Sequence, residues 1–209
     1  IESIQDSAIS ILAWVQDKLT ELVARREDTE ALEGTTSFTG LAADTDVNEI
    51  TAGANGDAIS YAKLVDLVFK AKEGASRAGA AYFMAPAAMA KVVGLRADAV
   101  TAGDGAGQPI FQFGNVPGEI RMFILGFPVW MHSGILTNRT KGTGTTLTNI
   151  YYGPARQITF GDRTGMSWDV SDSAGTAFEN YQLVMRLIKR TAISVALGKA
   201  FTRAIDLVT

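Results

Sequence analysis

Residues 6–32, DSAISILAWVQDKLTELVARREDTEAL, decide the fold that we predict for this chain of 209 residues. Apolar residues recur here at steps of three and four, which places them on one face of a helix. At the usual rise per residue this helix is about 40 Å long, more than a compact domain of this size needs. Ser3 or Asp6 is suited to cap its start, and Gly34 to end it. The apolar stripe consists of Ile4, Ala8, Ile11, Leu12, Val15, Leu19, Leu22 and Val23.

Two further apolar residues of this helix, Ile9 and Trp14, fall outside the stripe on opposite flanks. They predict that the helix is covered on more than one side. One interpretation is a core helix of an ordinary domain. The other is a spine, an exposed beam against which other parts of the chain and neighbouring molecules lie. The polar run from Arg25 to Asp28 indicates that the last turns face solvent.

The composition narrows the classes of function. The net charge is -3 and the hydrophobic content 47%, which gives no basic surplus for tight nucleic-acid binding but enough apolar surface for a core. Without cysteine the chain has no disulfide, thiolate metal site or cysteine nucleophile, and a single histidine, His132, excludes a multi-histidine metal site within one chain. Neither a membrane span nor a signal peptide is evident. Because the chain starts at Ile1, almost directly in a helix, we expect a fragment or a processed chain.

The middle of the chain predicts short alternating elements. A long connection covers 35–57, and we place a domain boundary near Asp57. A glycine-rich loop is expected at 98–109. Next come two strand segments within 121–132, around a bulge or a sheet edge at Gly126 and Pro128, and then a polar loop at 133–148. The sequence predicts two helices in this part, Ala58–Gly74, capped by Asp57, and Ala87–Val93, which begins after Pro86. A strand is predicted between them, at Ala80–Met84.

The last third predicts mainly strands. Tyr181–Leu197 alternates apolar and polar residues, and its Ile, Val and Thr content favours a long strand, although a helix face is also present. A final strand follows around Phe201, Ile205 and Leu207. Three short strands precede this pair: Thr148–Tyr152, Arg156–Phe160 and Met166–Val170.

A serine hydrolase motif is the most chemical pattern in the chain. Ser60 and Lys63 have the S-x-x-K spacing of serine acyl enzymes, in which the lysine assists the serine. The companion motifs fail in detail. Lys141-Gly142-Thr143-Gly144 is a K-T-G broken by a glycine, and Ser171-Asp172-Ser173 lacks the asparagine of S-D-N. We therefore expect no enzyme, and the alternative is a serine acyl hydrolase that uses Ser60 and Lys63.

Other candidate sites have plain structural interpretations. The run Gly103–Gly107 lacks the G-K-[ST] of a phosphate-binding loop. The series Asp44, Asp46 and Asn48 begins like a calcium loop but has Glu49 where glycine is needed and Asn55 where glutamate is needed. His132 is expected to be structural, Asn138-Arg139-Thr140 to be a surface loop, and Arg186 and Arg190 to form an intermolecular salt bridge or to be solvated. We predict no catalytic, cofactor-binding or metal-binding residue.

The order of five stretches resembles the tailed-bacteriophage major capsid proteins of the Hong Kong 97-like fold, over nearly the whole chain. The opening helix with its tail resembles the family's spine helix, and LGFPVW (Leu125–Trp130) its G-x-P-V strand. The family has an N-terminal arm and an extended β-hairpin loop upstream of this helix, and we expect neither within these 209 residues. The other three stretches are Tyr61 through YFMAPAAMAKVVGLRAD, NIYYG (Asn149–Gly153), and FENYQLVMRLIKRTAISVALGKAF with its late Ala200-Phe201.

The resemblance implies an α+β fold with a long spine helix, a peripheral domain with long strands, and an axial domain. The peripheral domain would hold 1–57 and 155–209, and the axial domain 58–154. It further implies a shell subunit of a phage or prophage that self-assembles around double-stranded DNA. The partners would be other copies in hexamers and pentamers, possible scaffolding or portal proteins, and non-specifically contacted DNA, with no membrane and no cofactor. The location would be the virion capsid, with assembly in the bacterial cytoplasm. A bacterial encapsulin-like compartment is the close alternative.

Overall fold

A computed structural model describes residues 11–72, 79–96, 107, 109–116, 119–180 and 182–209. Its first element is helix α1, Ile11–Glu33, the longest helix among these residues. The predicted single long helix is thus present from Ile11 onward, and the predicted start at Asp6 lies outside the described residues. Gly34 ends α1 as predicted. The following loop turns back, and Leu41 and Ala42 donate backbone hydrogen bonds to carbonyls in the last turn of the helix, at 3.0 and 2.9 Å.

Helix α1 is anchored to the rest of the chain at its C-terminal end. Among the residues of α1, all of which the structure describes, only Ala31 and Leu32 are buried. Trp14, on one flank, is 58% exposed and Leu22, in the apolar stripe, is 57% exposed, so this chain by itself leaves both uncovered. The predicted covering of the helix on more than one side is left to neighbouring molecules and stays a prediction, and Ile9 lies outside the described residues. An exposed beam describes α1 better than a core helix does.

Nine strands form one mixed sheet. The strands are β1 (Asn48–Ile50), β2 (Asp57–Ala58), β3 (Ala80–Met84), β4 (Phe111–Val116), β5 (Glu119–Ile124), β6 (Phe127–Met131), β7 (Arg139–Lys141), β8 (Gly144–Pro154) and β11 (Thr202–Val208). Their order in the sheet is β1-β11-β8-β3-β6-β5-β4, with β2 paired to β11 and β7 paired to β8. The pairs β1–β11, β2–β11 and β3–β6 are parallel, and the others are antiparallel.

The two remaining strands form a long antiparallel ribbon. β9 is Ile158–Ser171 and β10 is Val184–Val195, paired from Ser171↔Val184 at the tip to Ile158↔Val195 at the root. The predicted long strand at 181–197 is therefore confirmed. The two short strands expected at 156–160 and 166–170 are instead joined in the single strand β9, which starts at Ile158 after a 3-10 turn at 155–157. Strand β10 pairs along both parts, with register shifts on either side of Arg190.

Two hairpins replace features that the sequence pattern suggested. Leu125 and Gly126 form the turn between β5 and β6, and both have a positive φ, 53° and 81°, as a two-residue type I′ turn requires. The interruption at Gly126 is thus a hairpin turn and neither a bulge nor a sheet edge. Likewise the polar loop expected at 133–148 contains β7, a turn at Gly142-Thr143, and the start of β8.

The two shorter helices correspond to the predicted ones with changed bounds. Helix α2 is Tyr61–Phe69, shorter than the expected 58–74, and Ser60 caps it instead of Asp57. Helix α3 is Pro86–Val93, with Pro86 in its first turn as predicted. The expected glycine-rich loop at 98–109 lies almost entirely outside the described residues. No described helix is both long and apolar enough to cross a membrane.

Two apolar clusters cover the central strands. Helices α2 and α3 pack on one cluster with Tyr82 and Tyr152, and the end of α1 packs on the other with Tyr151 and Phe201. Because Tyr151 and Tyr152 are adjacent in β8, they point to opposite faces, so the sheet has a core on each side. The sheet also contains strands from all three predicted segments (1–57, 58–154 and 155–209), and the division into two domains stays a prediction.

The β5–β6 turn provides a test of the fold. Changing Gly126 to alanine forces a side chain into positive φ, although no atom lies within 4 Å of the new methyl group. We expect the free energy of unfolding to fall by about 1–2 kcal/mol in urea denaturation. Gly165 in β9 has the same open surroundings and no positive φ, so Gly165→Ala should cost nothing. Equal effects of the two changes would show that the turn is not type I′.

Candidate functional site

Ser60 is a helix cap in this structure. Its Oγ accepts a hydrogen bond from the backbone N–H of Lys63 at 3.4 Å, which satisfies a free donor of the first turn of α2. Lys63 Nζ instead lies 2.8 Å from Asp57 Oδ2 and donates to the carbonyl of Ala58. The hydrogen bond from Lys63 lowers the pKa of the Asp57 carboxyl. The S-x-x-K spacing is therefore explained by capping and by an ion pair.

The two companion motifs also make local bonds. Lys141 pairs with Asp206 at 3.0 Å and donates to the carbonyl of Ala52. The Ser171 hydroxyl accepts from the backbone N–H of Ser173 at 3.2 Å, at the tip of the ribbon. No hydrogen bond or ion pair between described residues joins Ser60 to either motif.

The calcium-like series does not converge on one point. Asp44 accepts a hydrogen bond from the backbone of Asp46 at 2.8 Å. Asn48 is buried and its side-chain amide donates to the carbonyls of Lys199 and Phe201, so it joins β1 to the start of β11. No group of three or more histidine or acidic side chains suited to a metal ion occurs in the described part of the chain. The run Gly103–Gly107 falls outside that part except for Gly107.

A buried polar cluster joins the end of α1 to the sheet, and we call it the Glu33 junction. Glu33 pairs with Arg139 of β7 and accepts a hydrogen bond from the Tyr151 hydroxyl at 2.9 Å. Asn149 donates to the same hydroxyl at 3.1 Å. Burial, together with the negative charge of Glu33, raises the pKa of Tyr151, so this hydroxyl stays protonated and serves as a donor.

His132 belongs to the same region. Its Nε2 lies 3.0 Å from Thr29 Oγ1 of α1, and that hydroxyl donates its proton to the carbonyl of Arg25. The hydrogen bond between His132 and Thr29 connects α1 to the residue that follows β6. The expected structural role of the histidine agrees with this bond. A second attachment lies nearer the start of α1, where Lys189 of the ribbon forms an ion pair with Glu27 at 2.6 Å.

Two of the remaining predictions concern charged residues of the ribbon and the segment 138–140. Arg186 pairs with Asp169 across the ribbon at 2.7 Å, so this salt bridge is within the chain. Arg190 is exposed, which agrees with the predicted alternative of solvation. The segment Asn138-Arg139-Thr140 is not simply a surface loop, because Arg139 lies in β7 and pairs with Glu33.

Several large apolar side chains are exposed on the surface of the described part of the chain. A cleft of about 250 Å³, which we call the aromatic cleft, opens where α1, β6 and the root of the ribbon meet. Trp130, Met131 and Phe160 line it and are 54%, 49% and 44% exposed. At the tip of the ribbon, Phe178 is 78% exposed. Clustered exposed apolar surface of this kind is typical of sites that bind another protein.

Sequence reasoning missed the Glu33 junction and the aromatic cleft. Glu33 and Arg139 are far apart in sequence, and no local pattern marks them as partners. The apolar residues of β6 were visible, but alternation alone does not say which of them the fold leaves uncovered.

Comparison with known proteins agrees with this picture of a beam, a sheet and exposed apolar surface. Among protein-family models, that of the phage capsid family matches residues 2–204. A search of curated proteins found no match. The family-model match covers nearly the whole chain and therefore identifies the family.

Solved structures show the same fold at low identity. The capsid of a native GTA particle has a TM-score of 0.70 at 17% identity, covering 99% of this chain and 69% of that one. A structure described as Mycobacterium phage Cain has a TM-score of 0.61 at 15% identity, covering 100% of this chain and 68% of that one. The SrpI encapsulin of Synechococcus elongatus has a TM-score of 0.63 at 17% identity, covering 97% and 68%.

The Glu33 junction can be tested by removing one charge. Arg139→Met leaves the Glu33 carboxylate buried without its cation, and we expect the free energy of unfolding to fall by about 3 kcal/mol. Adding Glu33→Gln removes the charge while keeping an acceptor for Tyr151, so the double variant should recover most of that loss.

The control for this pair is Arg186→Met, which breaks an exposed ion pair and should cost no more than about 0.5 kcal/mol. Denaturant unfolding measures the free energy of unfolding of four variants: Arg139→Met, Glu33→Gln, the double variant and Arg186→Met. If the double variant loses as much free energy of unfolding as Arg139→Met and Glu33→Gln together, the two residues are not coupled as described.

The role of Ser60 is tested by two substitutions and a probe. Ser60→Ala should lower the free energy of unfolding by about 1 kcal/mol, and Ser60→Asp should not, because aspartate also caps helices well. The unmodified chain should not react with a fluorophosphonate. Covalent labelling at Ser60 would contradict the capping role and revive the hydrolase hypothesis.

Proposed function

Because this chain belongs to the phage capsid family and is a structural subunit of an icosahedral capsid shell, we propose that its copies join as hexamers and pentamers around packaged double-stranded DNA. The observation that carries the proposal is the family match over residues 2–204. The protein self-assembles and is located in the virion capsid. We further propose that assembly takes place in the host cytoplasm, with scaffolding and portal proteins as further partners.

The fold supports a role in a shell wall. A shell subunit needs elements that extend beyond one core and present surface to several neighbours, since repeated head-to-tail contacts close into rings. Helix α1 extends from the sheet with Trp14 and Leu22 exposed, and the ribbon extends with Phe178 at its tip. We further propose that α1 and the ribbon belong to a peripheral domain (1–57 and 155–209), and that the axial domain (58–154) gathers around the symmetry axes.

The chain is proposed to have no enzymatic activity. Ser60, the one residue with a catalytic spacing, serves α2 as a cap, and Lys63 is engaged by Asp57. A chain with a net charge of -3 also suits a wall that surrounds DNA without gripping it, because tight binding needs many cationic contacts to phosphate.

An encapsulin-like compartment is the second candidate, supported by the shared fold of the SrpI encapsulin at a TM-score of 0.63. Low identity makes this a likeness of fold alone. The two functions differ in what the shell encloses, which can be measured directly.

We expect electron microscopy of the protein that carries this chain to show closed particles of uniform diameter. Particles purified from lysed host cells should contain nuclease-protected double-stranded DNA. Particles that instead hold one protein species and no DNA would favour the compartment. Failure to form any closed particle under conditions in which the chain is folded would contradict the shell function itself.

A further inference from the structure

We propose that Asn55 is a site of spontaneous deamidation, and that the hairpin turn between β7 and β8 keeps it unreactive until this turn opens. Asn55-Gly56 is the only Asn-Gly pair in the 209 residues. A glycine after asparagine favours the reaction, because its nitrogen is unhindered and its backbone rotates freely. The inference concerns the chemical lifetime of the fold and does not depend on the shell function.

The reaction needs only water. The backbone nitrogen of Gly56 attacks the side-chain carbonyl carbon of Asn55, and a C–N bond forms as the bond to the side-chain amino group breaks. That group leaves as ammonia with the proton that the Gly56 nitrogen gives up, and a cyclic imide remains. Water then opens the imide at one of its two carbonyls. The product is either aspartate or isoaspartate, in which the backbone runs through the former side chain.

The attacking nitrogen is engaged in the closed structure. The N–H of Gly56 donates a hydrogen bond to the carbonyl of Gly53 at 3.3 Å, which closes a turn over 53–56. The backbone of Gly56 also packs tightly, since a methyl group on it would lie 2.6 Å from Leu147 Cδ2 and 2.9 Å from the carbonyl oxygen of Asp206. Turning this nitrogen toward the Asn55 side chain therefore breaks a hydrogen bond and the packing against β8 and β11.

The carboxamide of Asn55 is held by the turn between β7 and β8. Its Oδ1 accepts a hydrogen bond from the backbone N–H of Thr143 at 3.1 Å. Gly142 lies directly against the same oxygen, because a Cβ atom on Gly142 would collide with Asn55 Oδ1 and with the carbonyl of Ala54. Asn55 is nevertheless exposed, so water reaches it as soon as the turn releases the side chain.

Isoaspartate at position 55 would prevent the turn from closing again. It lengthens the backbone by one methylene group, and the closed structure leaves no space for this group. Gly142 packs on the carbonyl of Ala54, and Gly144 packs on the carbonyl of Asn55 so closely that neither glycine has room for a Cβ atom. Overpacking of this kind displaces the backbone.

The displaced turn is connected to the anchor of α1. Strand β7 leads into the turn and contains Arg139, the partner of Glu33 in the Glu33 junction. Lys141, the last residue of β7, donates to the carbonyl of Ala52 at 3.0 Å and so ties this strand to the segment that contains Asn55. Deamidation at Asn55 should therefore loosen β7 and lower the stability of the chain.

The rate of deamidation in the folded protein is the first test. The protein that carries this chain is incubated in mildly alkaline buffer, folded or unfolded in urea. Conversion of Asn55 is followed by peptide mass spectrometry and by labelling with an isoaspartate methyltransferase. Because only the open fraction reacts, we expect the folded protein to convert Asn55 at least about tenfold more slowly than the unfolded protein. Equal rates, or no conversion in urea, would overturn the proposal.

Two glycine substitutions test whether the turn provides the protection. Gly142→Ala places a methyl group against Asn55 Oδ1 and should speed conversion in the folded protein at least about threefold, because it raises the open fraction. Gly126→Ala is the matched control, since Gly126 also has a positive φ in a hairpin turn but no atom lies within 4 Å of the added methyl group. The control should leave the rate unchanged. An unchanged rate in Gly142→Ala, or an equal rise in both variants, would contradict the role of the turn.

The hydrogen bond from Thr143 is tested separately. Thr143→Pro removes the donor N–H and should also speed conversion in the folded protein. A slower conversion would overturn the proposal, because it would show that this N–H polarises the Asn55 carbonyl and assists the attack.

The effect on stability is measured on the separated products. The isoaspartate form should unfold at a lower urea concentration than the unmodified protein. Asn55→Asp is its control, since it keeps an acceptor for the Thr143 N–H and a backbone of normal length, and it should unfold close to the unmodified protein. An isoaspartate form as stable as the unmodified protein would overturn the proposed displacement of the turn. Particle formation by the unmodified protein judges the shell function independently of all these results.

Discussion

The Glu33 carboxylate attaches helix α1 to the sheet. The helix buries only Ala31 and Leu32 among its described residues, so hydrophobic burial alone holds it weakly. The Glu33 carboxylate adds a charged pair with Arg139 and a hydrogen bond from Tyr151, both in a largely buried position. Because an unpaired charge there would be costly, the junction fixes the angle at which the beam leaves the sheet.

A second clamp fixes the loop that follows α1. Arg203 of β11 donates to the carbonyls of Leu41, Ala42 and Asp44, and pairs with Glu49 at 2.7 Å. One planar guanidinium therefore satisfies several carbonyls of a segment that has little secondary structure. Both clamps connect residues more than a hundred positions apart, and together they attach the first segment of the chain to strands from its middle and end.

Local sequence patterns correctly predicted those helices and strands whose conformation does not depend on distant residues. The period of α1, the alternation of β10 and the Pro86 start of α3 were all readable, because helix and strand signals are local. The errors arose where tertiary pairing decided the outcome. Two short strands were predicted where β9 is a single strand, because pairing with β10 extends over both parts despite register shifts at Arg190. The Glu33 junction and the aromatic cleft had no sequence signal, since each is assembled from distant segments, and family resemblance alone pointed to the function.

The exposed apolar residues then acquire a physical explanation. A monomeric protein that left Trp130, Met131, Phe160 and Phe178 this accessible would risk unspecific association. A shell subunit must leave such surface open, because burial in contacts with its neighbours supplies the free energy of assembly. Each contact must also stay modest, so that a misplaced subunit can dissociate before the shell closes. Small exposed apolar side chains and clefts on helix α1 and the ribbon meet both requirements, because many such contacts form together in the shell while each single contact is weak.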